Sequence, residues 1–134
     1  MISYDEIRET LENEFKANWD KTLISWNNAP IEITEDEYVR FFINWNGARN
    51  VTLGVNDTRK SGLIAIQIFL PRDSGTGVGV RYADEINAFM ENKQFGKIFT
   101  YAGDLFDIGE GMRKVKDVEY GYFQFNLNIP FEAQ

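Results

Sequence analysis

The sequence predicts an α+β domain: one largely antiparallel β-sheet, with mixed pairing allowed, packed by two helices. Three observations carry this reading. A capped, amphipathic segment opens the chain. Several short apolar segments, separated by Gly, Asn and Pro, follow it. The chain then closes on a long segment of strict alternation from Tyr120 to Phe131. With 134 residues and no repeat, linker or low-complexity stretch, residues 1–134 read as a single domain.

The first helix is expected from Tyr4 to Trp19. Ser3 and Glu6 form a capping box in which hydroxyl and carboxylate each satisfy an orphan backbone N–H, and Ile2 and Ile7 form a hydrophobic staple. Tyr4, Ile7, Leu11, Phe15 and Trp19 then recur at helical spacing. Thr22 to Trp26 is a short strand, ended by Asn27, Asn28 and Pro30. Tyr38 to Trp45 is a stronger one, with Val39, Phe41, Ile43 and Trp45 on one face. Asn46-Gly47 is a preferred hairpin pair, so Arg49 to Val55 is expected to return, followed by a turn at Asn56 to Thr58. Leu63 to Leu70 is apolar on both faces, belongs at the sheet centre and is stopped by Pro71. Gly75 to Gly79 connects it to a second helix, Val78 to Asn92, with Tyr82, Ile86, Phe89 and Met90 inward. Ile98 to Tyr101 and Leu105 to Ile108 are short strands separated by Gly103, and Gly109 to Asp117 is a loop or a flexible hairpin tip. In the last strand Phe123, Phe125, Leu127, Ile129 and Phe131 face one way, and Tyr122, Gln124, Asn126 and Asn128 the other. The expected order is α-β-β-β-β-α-β-β-β.

Composition narrows function. There is no Cys, so disulfides and thiolate metal sites are excluded. There is no His, which removes the commonest general base and every Ser-His or Cys-His pair. No enzyme activity, cofactor or metal is expected. The net charge of -7 disfavours binding to phosphate backbones and anionic lipid. The N-terminus shows no basic n-region or apolar h-region, and Leu63 to Leu70 is too short to span a bilayer. The chain is therefore expected in a cytoplasm, away from membrane.

The constellations that could carry chemistry are weak. Gly75-Thr76-Gly77-Val78-Gly79 lies between strand and helix, but its spacing is neither of the phosphate-loop patterns, and a simple connector explains it better. Asp104, Asp107 and Glu110 could hold a hard cation or do glycosidase-type work, although surface acids explain them more simply. The acids of the first twenty residues and Glu32, Glu35, Asp36 and Glu37 read as solvated surface. Trp19, Trp26 and Trp45 are expected in or beside the core. Arg59 and Lys60, and Arg113 and Lys114 with Lys116, are basic clusters placed in turns or loops. Solubility accounts for them; the functional alternative is an edge that meets an acidic neighbouring subunit.

Several ordered segments resemble the small phage tail-terminator-like proteins that accompany siphophage tail-tube genes. They are Tyr4-x-x-Ile7-Arg8, Ile24-Ser25-Trp26-Asn27-Asn28, Ser61-Gly62-Leu63, Ile66-Gln67-Ile68-Phe69-Leu70-Pro71, Gly75-Thr76-Gly77, Ala83-Asp84-x-Ile86 and Ile129-Pro130-Phe131. The resemblance implies an α+β fold and a ring, normally of six subunits, that caps the tail tube at its head-proximal end. The implied partners are other copies of the chain, the tail-tube protein and a head-completion or neck protein, and DNA passes through the lumen without specific binding. The implied locations are the host cytoplasm during assembly and then the virion's head–tail junction. It carries over no catalytic residue. Gly103 to Asp117 departs from the pattern in being more acidic and glycine-rich. Contacts to neighbouring subunits or to the tube are expected at Asn46, Gly47 and Arg49, at Arg59 and Lys60, and at Arg113, Lys114 and Lys116. These lie in the loops Asn44 to Arg49, Asn56 to Ser61 and Gly109 to Lys116. The alternatives are a head–tail joining protein or a monomeric, non-catalytic binding module.

Overall fold

The computed structural model describes residues 2–26, 37–50, 58–72, 75–115 and 117–134. Within them the chain runs α1 (Tyr4–Asn18), β1 (Leu23–Trp26), β2 (Tyr38–Asn50), β3 (Thr58–Pro71), α2 (Thr76–Met90), β4 (Gln94–Phe95), β5 (Ile98–Thr100), β6 (Asp104–Val115) and β7 (Val118–Ala133). The fold is the expected single α+β domain with a mostly antiparallel, mixed sheet. Its strand order is β1-β2-β3-β7-β5-β4, with β6 also paired to β7. The mixed element is β1, which lies parallel to β2.

The helices sit where their apolar stripes require. The Glu6 amide donates to the Ser3 hydroxyl at 3.1 Å, which caps α1. The expected second half of the capping box is absent: the Glu6 carboxylate accepts from the Ser3 hydroxyl instead. Ile7, Leu11 and Phe15 are buried, Trp19 follows at the C-cap, and Ile2 completes the staple. Phe15 is the aromatic hub, packing against Trp19, Trp26, Phe41 and Phe89. In α2, Ala83, Ile86 and Met90 are buried, while Tyr82 and Phe89 pack against the core's margin. β3 lies between β2 and β7 as predicted, with Ile64, Ile66, Ile68 and Leu70 under the helices. The alternation of β7 holds: Phe125, Leu127, Ile129 and Phe131 are buried, whereas Gln124, Asn126 and Asn128 are half-buried on the other face.

Four expectations are corrected. Asn46-Gly47 makes no hairpin. β2 continues to Asn50, and Asn46 and Gly47 together oppose the single residue Ser61, because Trp45 pairs with Gly62 and Ala48 with Lys60. This is a β-bulge, and the φ of +91° at Gly47 shows why glycine serves there. Of the expected return strand, Arg49 and Asn50 belong to β2; the rest, and Asn56-Asp57, lie outside the described residues. Second, β3 begins at Thr58, so Arg59 and Lys60 are strand residues rather than turn residues. Third, α2 starts at Thr76, which places Gly77 and Gly79 inside a helix instead of a connecting loop. Fourth, Gly109 to Val115 is strand rather than loop: β6 continues through a bulge at Ile108–Gly109 and pairs with β7 down to Val115 opposite Val118, so of the two alternatives it is the hairpin that forms. A short β4 was not anticipated, and the element order is accordingly α-β-β-β-α-β-β-β-β.

The register gives the sheet two distinct ends. β7 pairs with β3 from Tyr122 to Ala133. Its first residues, Val118 to Gly121, pair with β6 and lie past the last β3 pair, Pro71 opposite Tyr122. The β6–β7 hairpin thus projects roughly 14 Å past β3, at about 3.4 Å per residue. At the opposite end, β2 and β3 meet β5 and the close of β7.

Candidate interaction site

That opposite end carries a concave feature. The β2 bulge, the start of β3, Tyr101 after β5 and the end of β7 enclose an open groove of ≈ 630 Å³. Its lining includes the predicted residues Asn46, Gly47 and Arg59, together with Trp45, Leu63, Tyr101, Pro130 and Glu132. Arg59 Nη1 lies 3.4 Å from Glu132 Oε2, with both side chains about one-third exposed. The Tyr101 hydroxyl donates to the same carboxylate at 3.3 Å. Desolvation first, and then the Glu132 charge, raise the Tyr101 phenol above its ordinary 10.0, so at neutral pH it is a donor. Trp45 is 42% exposed and Leu63 36%, so the groove presents apolar surface beside a partly wet ion pair. Trp45 was expected in or beside the core; its outer edge is open, while its ring packs on Tyr4 and Phe131.

Lys60 corrects the expectation of an exposed contact. It is buried, its Nζ donates to the Ile2 carbonyl at 2.8 Å, and it lies 5.0 Å from the centre of the Tyr4 ring. Its position on β3 turns it under α1, where it ties down the N-terminal segment. Arg49 pairs with Arg59 across β2 and β3. Arg113 and Lys114 sit at the other end, opposite Tyr120 and Glu119 in the projecting hairpin. Lys116 lies outside the described residues. The predicted basic positions therefore do not form one patch: Arg59 borders the groove, Lys60 is internal, and Arg113 and Lys114 belong to the opposite end.

Asp104, Asp107 and Glu110 do not converge. Along β6 they stand opposite Asn128, Phe125 and Phe123, so Asp104 points to the opposite face from the other two. Glu110 pairs with Arg72 at 3.4 Å. Among the described residues, no group of three or more acidic side chains is placed to hold a metal ion.

Sequence reasoning missed the apolar surface of β6 and its hairpin. Leu105, Phe106, Ile108, Met112 and Val118 are between 38% and 53% exposed. Lys114 is exposed at the same tip, beside Glu119 on the neighbouring strand. A signal was present in the β-forming residues of this segment, but its glycines and acids read as loop.

No family model and no curated protein matches the chain. A solved structure of a protein whose name gives no function is similar in fold, with a TM-score of 0.65 at 15% identity. The match covers 100% of this chain and 97% of that one. At this identity the likeness bears on fold alone.

Proposed function

We propose that this chain is a structural, non-catalytic ring subunit of the tail-terminator kind. It caps the head-proximal end of a phage tail tube and provides the joint to the neck. The ordered sequence segments support the reading. The observation that carries it is the placement of exposed apolar side chains at two opposite ends of the sheet: Met112 and Val118 on the projecting hairpin, Trp45 and Leu63 at the groove. A subunit that touches a neighbour on each side needs two such surfaces. The amide row Gln67, Gln124, Asn126 and Asn128 on the helix-free face, flanked by Arg40 and Asp104, offers mainly uncharged hydrogen-bonding groups, which suits a lumen that DNA crosses without being gripped.

The test is electron microscopy of tail tubes assembled from the tube protein of the same genome, with and without this protein. Tubes of defined length with extra density at one end are expected. Tubes of unregulated length with bare ends overturn the reading. Binding to head-side proteins alone would identify a head–tail joining protein instead.

A further inference from the structure

We propose that the β6–β7 hairpin tip of one copy docks into the groove at the opposite end of the sheet of the next copy. The occupant of the groove is thus a second copy of this chain, and the contact is head-to-tail. The inference rests on the ring reading only in naming that second copy.

Four observations carry it. The two surfaces are different and lie at opposite ends of one sheet, which is the arrangement a heterologous contact requires; such a contact forms a ring when the rotation between copies closes. Their shapes match in kind: the tip is a two-stranded projection past the end of β3, and the groove is open and concave. Their apolar parts match, because Met112 and Val118 are each 52% exposed at the tip, and Trp45, Leu63, Tyr101 and Pro130 line the groove. A thioether against aromatic walls is a favourable contact. Their charges also match. Lys114 and Glu119 face each other across the hairpin, and Arg59 and Glu132 face each other in the groove. Docking sets Lys114 against Glu132 and Glu119 against Arg59.

The absence of cysteine makes the test clean. Val118→Cys is placed at the tip of one protein and Ala48→Cys at the groove of another, both at exposed positions. Each is treated with a bismaleimide, alone and mixed, free in solution and in the presence of tail tubes. The mixture is expected to give a covalent dimer and each single variant none. A protein carrying both cysteines is expected to give a ladder of multimers. Leu63→Asp on the groove partner, or Met112→Asp on the tip partner, is expected to reduce the dimer to the level of the single-variant controls, with circular dichroism confirming that each variant is folded. A mixture that gives no dimer, or Val118→Cys that cross-links equally well to itself, overturns the proposal. The outcomes separate the two readings: capped tubes without the cross-link remove this contact and leave the ring, while the cross-link with bare tube ends removes the terminator and leaves the contact.

Discussion

At the scale of single residues, Lys60 shows how register overrides composition. In sequence it stands beside Arg59 as half of a basic pair. In the sheet it opposes Ala133 on one side and Ala48 on the other, and its ammonium is spent on the Ile2 carbonyl. The ammonium also lies over the Tyr4 ring. Lys60→Ala removes the bond, leaves a buried carbonyl short of its donor and opens space beside Tyr4. The expected loss is about 1–3 kcal/mol, read as a lower urea midpoint at unchanged slope. An unchanged midpoint would show that the N-terminal segment holds without the lysine. Arg59, one residue earlier, points the other way and is expected to matter for association rather than stability, because exposed ion pairs contribute at most about 1 kcal/mol.

At the scale of elements, α2 lies close on the sheet because Gly79 carries no side chain. A Cβ there would meet the Phe125 ring at 2.5 Å and Leu70 at 2.9 Å. Replacing glycine by alanine in an exposed helix gains about 1 kcal/mol; here overpacking, at about 1–3 kcal/mol, outweighs it. Gly79→Ala is expected to destabilise the protein in thermal unfolding, and Phe125→Leu in the same background is expected to recover part of the loss. Stabilisation by Gly79→Ala alone would contradict this packing. The same glycine explains why the segment was misread: three glycines in five residues signal a connector, and the reason for one of them lies in a strand 46 residues away. The elements that were legible, α1, the centre of β3 and β7, have patterns set by their own burial. The bulges at Asn46–Gly47 and Ile108–Gly109 were not, since Asn-Gly serves a hairpin and a bulge alike, and the choice is fixed by the partner strand. The groove shares that cause. Asn46, Gly47 and Arg59 were named from local chemistry, but Tyr101 and Glu132 join them only through pairing distant in sequence.

At the scale of the molecule, stability is expected to grade from the middle of the sheet outward. β3 has a hydrogen-bonded neighbour on each side along most of its length, and its inward side chains are fully buried beneath both helices. β6 has β7 as its paired neighbour, carries a bulge and is exposed on most of its side chains. Amide exchange proceeds through local opening, and strands with few buried apolar contacts open first. In the isolated subunit, Ile64 to Leu70 and Phe125 to Ile129 are expected to exchange slowest, near the global unfolding limit, and the outer amides of Asp104 to Val115 orders of magnitude faster. Docking of the hairpin tip removes part of that difference: on assembly, protection is expected to rise at Met112 to Gly121 and around Asn44 to Ala48, and to stay unchanged at Ile64 to Leu70. Hydrogen exchange followed by mass spectrometry, on the free protein and on assembled particles, reads both effects at once. Equal protection of β6 and β3 in the free subunit would show a partner already seated on that edge. A rise confined to β6 residues 104–108, with none at Asn44 to Ala48, would move the contact from the groove to the strand edge.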